Sequence, residues 1–148
     1  MLGGSIRDCP EGLWRGSLWD DRSLPGFSEF WYVAYHALFW LDLYLSGSGD
    51  GFVPPAPFTL DELDPAGALP PKVYTREELE RYLALSAEKC RLTFKNLTDE
   101  QASRAYEIGS RRQKMSFAEL LIYNMGHVRE HAAQLSMFLG QEHGLAST

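Results

Sequence analysis

Hydrophobic residues recur at helical spacing in three stretches of this chain, and each stretch predicts one helix. The first, an aromatic helix over residues 28–45, is apolar on nearly every side and stops at Gly47. The middle helix opens with Thr75 as N-cap and Glu78 in the third position of a capping box. It ends near Asn96. The all-round apolar character of residues 28–45 predicts that the aromatic helix is the most buried element.

The last helix has the clearest start. Ser116 and Glu119 have the spacing of a capping box. We expect this helix to run to about Leu139, where Gly140 would supply a left-handed stop. A second, weaker capping box at residues 98–101 predicts a short helical turn between the middle and last helices.

The segment between the aromatic and middle helices, residues 46–74, holds six of the eight prolines and predicts no helix. A connection of this length can run along a helical bundle and join two parallel helices. Leu2–Asp8 predicts a short helix that resembles the last turns of a longer one. No repeat and no alternating strand pattern is visible. The sequence therefore predicts an all-α fold in a single domain, residues 1–148.

Composition and charge narrow the range of partners. The chain has 148 residues and a formal net charge of −6, and an acidic surface disfavours nucleic acid. A short basic cluster, at residues 111, 112 and 114, is interpreted as a solvated turn. Cys9 and Cys90 match neither a disulfide framework nor a C-x-x-C pattern, which favours a reducing, cytoplasmic setting. No signal peptide is recognisable and no apolar run reaches the length of about 20 residues that crosses a bilayer, so we expect no membrane association.

Two histidines on the last helix carry the candidate chemistry. His127 and His131 are four residues apart, which places both rings on one face of the helix. That face also carries residues that predict an inward orientation: Leu120, Asn124, Leu135 and Phe138. Buried imidazoles need hydrogen-bond partners or a metal, because an unsatisfied buried polar group is costly. A divalent ion would satisfy both rings at once.

His36, midway along the aromatic helix, is the natural third ligand. Three protein ligands leave a coordination position open for water or substrate, which is the arrangement of a catalytic site. His143 follows Gly140 in a polar tail and is expected at the surface. The alternative is a metal-free bundle with packed histidines, since H-x-x-x-H spacing also arises often on helices without a metal.

Residues 127–131 also read H-x-x-E-H, the signature of one class of metalloproteases. Such proteases need a further glutamate ligand well downstream, whereas only 17 residues follow His131. Glu130 points about 60° away from the His127 direction on a helical wheel. We therefore expect Glu130 to be a solvated or interhelical charge and not a general base.

Two segments resemble one protein family. Residues 126–139, with His127, His131, Gln134 and Leu135 in order, are similar to the fourth helix of the DinB/YfiT-like superfamily, which typically reads H-x-x-x-H-x-G-Q-L. Residues 35–42 resemble its second helix, which supplies a further histidine. Within the second segment, Ala133 stands where the family usually has glycine.

The resemblance implies an up-down-down-up four-helix bundle with a long crossover between helices two and three and, here, a first helix that is short or truncated. It implies a divalent metal ion (Zn, Ni, Fe or Mn) held by His36, His127 and His131. Family members of known activity include metal-dependent transferases and isomerases that use low-molecular-weight thiols such as bacillithiol or mycothiol. Homodimers are common in the family.

Several functions stay open at this point. The leading hypothesis is a metal-dependent enzyme acting on a small-molecule substrate, either as a thiol S-transferase or as an isomerase. A metal-dependent hydrolase and a non-catalytic metal-binding stress or interaction protein are the alternatives. No catalytic residue is assigned. Asn124 and Gln134 flank the histidines and are candidates either for orienting substrate or for interhelical hydrogen bonds.

Overall fold

A computed structural model describes residues 1–107 and 114–146, with the side chains of residues 1–106 and 114–142. Most of this part of the chain is helical, as predicted. The α-helices are α1 (Leu2–Asp8), α2 (Phe30–Leu45), α3 (Arg76–Asn96), α4 (Asp99–Ser103) and α5 (Phe117–Ala146). Short 3₁₀ turns cover Glu11–Leu13 and Asp61–Leu63. Two short strands, β1 (Ala105–Glu107) and β2 (Lys114–Ser116), complete the elements.

The three predicted capping boxes are all formed. At the start of α3, the Thr75 hydroxyl accepts from the Glu78 amide at 3.2 Å, and the Glu78 carboxylate accepts from the Thr75 amide at 2.9 Å. Residues 98 and 101 form the same pair at α4. At α5, the Ser116 hydroxyl accepts from the Glu119 amide at 3.2 Å. Each box satisfies backbone N–H groups that lack an intrahelical partner, so the local sequence sets where these helices begin.

Helix α2 lies at the centre of the core. Nearly all of its side chains are buried, and the largest of those fully shielded from solvent are Phe30, Tyr35, Leu38 and Phe39. It packs against both α3 and α5, while α1 also packs against those two helices. This accounts for the all-round apolar pattern of residues 30–45, because a helix enclosed by neighbours needs no polar face.

The end of α5 differs from the sequence-based expectation. The helix does not stop at Leu139 but continues through Gly140 to Ala146. A glycine ends a helix when it adopts a left-handed conformation, and Gly140 has no positive φ. By contrast, Gly47 after α2 has φ +67° and acts as the predicted stop.

A small hairpin was also missed. Strands β1 and β2 pair antiparallel, with Tyr106 opposite Met115, although no alternating pattern indicated them. Strands of three residues are too short to show alternation, which is why the pattern gave no signal. Of the basic cluster, Lys114 lies exposed in β2, whereas residues 111 and 112 lie outside the described part.

The crossover, residues 46–74, contains no α-helix, as predicted, but it is well packed. The Phe58 ring is buried and stacks on Tyr82 of α3, with ring centroids 4.3 Å apart and an interplanar angle of 24°. It also stacks on Tyr35 of α2 at 5.8 Å. Phe58 therefore anchors the crossover against two helices.

Two further observations concern the cysteines and the lengths of the helices. Both cysteines, Cys9 and Cys90, are free thiols, in agreement with the absence of a disulfide framework. Among the helices of the described part, none combines the length and the apolar character needed to cross a membrane.

Candidate metal centre

The packing of α2 against α5 brings the three predicted histidines together. His36 lies near the middle of α2, and His127 and His131 lie one turn apart on α5. One ring nitrogen from each of the three lies within 4.8 Å of the other two. This is the set of residues proposed from the sequence, now placed around one point by two separate helices.

The distances between the rings fit ligation of a single ion. Nε2 of His127 lies 3.0 Å from Nε2 of His131. Two nitrogens bound to one ion at about 2.0–2.1 Å, with angles of about 90–110°, lie about 2.8–3.4 Å apart. The His36 ring centroid lies 5.3 Å from that of His127 and 4.9 Å from that of His131. A small further approach of His36 would complete a three-nitrogen site.

Hydrogen bonds on the far side of two rings define which nitrogen is free. Nδ1 of His36 lies 2.8 Å from a carboxylate oxygen of Glu62, and Nδ1 of His131 lies 2.8 Å from the amide oxygen of Gln134. Because these oxygens only accept, both Nδ1 atoms donate. A neutral imidazole with its proton on Nδ1 carries a lone pair on Nε2, so Nε2 is the atom through which His36 and His131 would bind a metal.

His127 has a different environment. Its Nδ1 is buried and has no hydrogen-bond partner among the described residues. Since Nε2 of His131 is an acceptor, Nε2 of His127 donates to it across the 3.0 Å contact. A divalent ion could be held by Nε2 of both rings if the His127 proton moved from Nε2 to Nδ1, which would keep that ring a neutral ligand. The donor set fits an imidazole-ligated metal such as Zn²⁺, and carboxylate-preferring ions such as Ca²⁺ fit it poorly.

Electrostatics keep the α5 imidazoles neutral. Burial lowers the pKa of His127 to about 4, and the neighbouring His131 and His36 rings add to this effect. Burial, followed by the proximity of His36, also lowers the pKa of His131. Neutral imidazole is the form that ligates a metal, so both rings are in the binding-competent state at neutral pH.

Glu62 is the functional residue that the sequence analysis missed. It lies in the 3₁₀ turn of the crossover, and its side chain is only 4% exposed. Besides His36, it accepts hydrogen bonds from Tyr32 and from Nε1 of Trp40, the latter at 2.9 Å. Burial on its own would raise the pKa of Glu62, but the hydrogen bonds from His36, Tyr32 and Trp40 outweigh it and lower the pKa below its usual value.

A signal for such a carboxylate was present in α2. Tyr32, His36 and Trp40 are spaced by four residues and lie on one face of an otherwise apolar helix. Each of them can donate a hydrogen bond, and a buried donor needs an acceptor. The sequence thus indicated that an acceptor packs on this face, although the spacing did not say which one.

The remaining candidates have structural roles. Asn124 is buried and its amide nitrogen donates to the Leu41 carbonyl at 3.2 Å, so it bridges α5 and α2. Gln134 orients the His131 ring. Glu130 is exposed, as expected for a charge outside the site. The side chain of His143 lies outside the described residues.

The three histidines are all partly exposed to solvent. The side chain of His36 is 28% exposed, and Tyr123 stacks parallel to His127 with centroids 6.5 Å apart. A cavity of about 610 Å³ is lined elsewhere, by side chains that include Leu45, Leu92 and Phe117 and no histidine. That cavity shares no residue with the three histidines, so it is not part of the candidate metal centre.

Comparisons of this chain with protein-family models, with curated proteins and with solved structures gave no match. The DinB-like family therefore stays a prediction from the sequence.

Proposed function

We propose that this protein binds one divalent metal ion through His36, His127 and His131 and uses it in catalysis on a small molecule. The observation that carries the proposal is the convergence of three imidazoles from two helices, with nitrogens within 4.8 Å of one another. The partial exposure of His36 supports a catalytic use, because a substrate needs access to an open coordination position.

The roles of the side chains follow from their contacts. His36, His127 and His131 would hold the ion, while Glu62 and Gln134 would fix the rings of His36 and His131 through their Nδ1 protons. When bound, the metal would supply Lewis acidity and lower the pKa of a thiol or water.

The reaction class that we favour is transfer or isomerisation with a low-molecular-weight thiol such as bacillithiol or mycothiol. In transfer, the thiol sulfur would form a bond to an electrophilic carbon while the leaving group departs with the electron pair of the broken bond. With an epoxide, the ring oxygen leaves and takes up a proton. In isomerisation, the thiol would add to an unsaturated acid and then be eliminated. Support for this class comes from the resemblance of residues 35–42 and 126–139 to DinB-like helices.

Hydrolysis is the second candidate. It is supported by the partial exposure of His36, since water needs no dedicated thiol pocket to approach the same three ligands. A non-catalytic role, with the metal as a staple between α2 and α5, uses the same residues and needs no substrate.

We further propose the up-down-down-up bundle and a homodimer, both implied by the family resemblance. Exposed apolar side chains that line one groove between α3 and α5 support a subunit contact: Phe94, Ile122 and Met125. Light scattering would test this, and a monomeric mass at all concentrations would contradict the dimer.

Activity assays separate the candidate reactions. The zinc-loaded and nickel-loaded proteins would be incubated with a panel of epoxides, alkyl halides, unsaturated acids and esters, with and without bacillithiol or mycothiol. Thiol-dependent product that disappears in the His127→Ala variant would support the proposed class. Ester hydrolysis without thiol would favour the hydrolase. Absence of turnover in every combination would contradict the enzyme and leave metal binding alone.

A further inference from the structure

One carboxylate links the crossover to the candidate metal centre. Glu62 is the middle residue of the 3₁₀ turn Asp61–Leu63, far in sequence from the three histidines. Its side chain is 4% exposed and receives hydrogen bonds from one face of α2. The donors are the Tyr32 hydroxyl, Nδ1 of His36 at 2.8 Å and Nε1 of Trp40 at 2.9 Å.

Three donors on α2 hold the Glu62 carboxylate in one orientation. Nδ1 of His36 and Nε1 of Trp40 both bond to Oε2 of Glu62, and Tyr32 bonds to Oε1. Three hydrogen bonds from one rigid helix leave the carboxylate little freedom to rotate. The His36 ring is correspondingly fixed, because its Nδ1 proton has a single oriented acceptor.

The charge of Glu62 is also suited to a cation nearby. The three histidines are neutral ligands, so an ion bound by them keeps its full double charge. Among the described residues, the acidic side chain that hydrogen-bonds directly to one of the three rings is Glu62. A carboxylate behind a ligating imidazole makes the ring a stronger donor and orients it.

We propose that Glu62 is a positioning residue that presents Nε2 of His36 to the metal, so that metal binding and docking of the crossover stabilise each other. The inference rests on the proposed metal site. The coupling between metal binding and docking of the crossover follows from thermodynamic linkage. If docking of the Glu62 turn raises the metal affinity, then bound metal must favour the docked turn by the same factor.

The crossover has other anchors, so loss of Glu62 need not unfold it. Phe58 packs between Tyr35 and Tyr82, and the Tyr35 hydroxyl donates to the Thr59 carbonyl at 3.2 Å. These contacts do not involve Glu62. A variant at Glu62 should therefore keep the helices and the aromatic core, and its effect should be confined to the site and the turn.

The test compares zinc affinity in three proteins by competition with a chromophoric chelator. Glu62→Gln removes the charge and one of the two acceptor oxygens, so that Tyr32, His36 and Trp40 compete for a single amide oxygen. Asp61→Asn is the matched control, since it removes the same charge from the neighbouring residue, whose carboxylate bonds to Thr59 and not to a histidine. We expect Glu62→Gln to weaken zinc binding about 10–100-fold. We expect Asp61→Asn to stay close to wild type.

Hydrogen exchange of the crossover provides the second measurement. Zinc should slow exchange of the amides around residues 58–64 in wild type and in Asp61→Asn, and should do so much less in Glu62→Gln. Equal zinc affinity and equal protection in wild type and Glu62→Gln would overturn the role of Glu62 and leave the metal site intact. A wild-type protein that binds no divalent ion would instead contradict the proposed function.

A second variant keeps the proposal testable if Glu62→Gln does not fold. Far-ultraviolet circular dichroism would check the helix content of Glu62→Gln. Should that variant lose its fold, Glu62→Asp keeps the charge but shortens the reach to His36 by one methylene. It should weaken zinc binding in the same direction, and wild-type affinity in Glu62→Asp would count against the proposal.

Discussion

Nε2 of His127 and Nε2 of His131 face each other at 3.0 Å across one turn of α5. In the absence of an ion the two rings share one proton, and the His127 ring has no other hydrogen-bond partner among the described residues. A buried polar atom without a partner is costly. The same arrangement suits a divalent cation, which would be held by both nitrogens together with His36.

The neutral state of His127 makes the stability of the metal-free protein depend on pH. Burial lowers the pKa of His127 from 6.5 to about 4, so the unfolded chain takes up this proton more readily than the folded protein. The stabilising contribution is fully present above about pH 6.5 and is lost as the pH falls towards about 4. We expect the Tm measured in the presence of a chelator to fall across this interval.

Other groups titrate in the same interval, so the decisive quantity is a difference between variants. His127→Gln removes one of the two buried imidazoles with a lowered pKa and should make the fall of Tm with pH shallower. His143→Gln is the matched control and should follow wild type. Identical slopes for wild type and His127→Gln would show that His127 is not held neutral in the folded protein.

The features of this molecule that depend on residues close together in the sequence were predictable. Capping pairs such as Thr75 with Glu78 lie three residues apart and set helix starts through local hydrogen bonds. The spacing of His127 and His131 likewise determines that both rings share a face of α5. Such features need no knowledge of the tertiary fold.

The features that were missed depend on contacts distant in sequence or on tertiary context. Glu62 reaches His36 across 26 residues through a proline-rich segment, and nothing in its own spacing distinguishes it among 20 acidic residues. Gly140 stays helical, although glycine favours a stop at that position in an isolated helix. The hairpin is held by pairing between short strands, which no periodicity reveals.

A buried polar cluster joins α2 to α3 away from the metal centre. The Asp42 carboxylate accepts from the Tyr82 hydroxyl at 3.0 Å and from Nζ of Lys89 at 2.5 Å. Asp42→Ala would leave both donors without this partner, and we expect the free energy of unfolding to fall by about 1–3 kcal/mol in urea titrations. Zinc affinity should be unchanged, since Asp42 contacts none of the three histidines.

Tyr82→Phe is a milder variant of the same cluster than Asp42→Ala. It removes one hydrogen bond and keeps the ring that stacks on Phe58, so the expected loss is about 1 kcal/mol. A loss for Asp42→Ala that does not exceed that for Tyr82→Phe would contradict the joint role of Tyr82 and Lys89 at this carboxylate.

The N-cap of α3 tests whether hydrogen bonds between residues close in sequence stabilise the start of a helix. Thr75→Ala removes the hydroxyl that accepts from the Glu78 amide, and we expect a loss of about 1 kcal/mol in the free energy of unfolding. Thr75→Ser retains the hydroxyl and should remain close to wild type. Chemical denaturation distinguishes the two, and equal losses for alanine and serine would show that the cap does not stabilise the helix.

Zinc titration of single histidine variants tests the central claim most directly. Wild type should bind one Zn²⁺ per chain, as three converging imidazoles predict. His36→Ala, His127→Ala and His131→Ala should each lose most of that affinity while keeping their helix content. His143→Ala, which alters the fourth histidine of the chain, should bind as wild type does. Wild-type stoichiometry and affinity in His36→Ala and His127→Ala would contradict the three-histidine site.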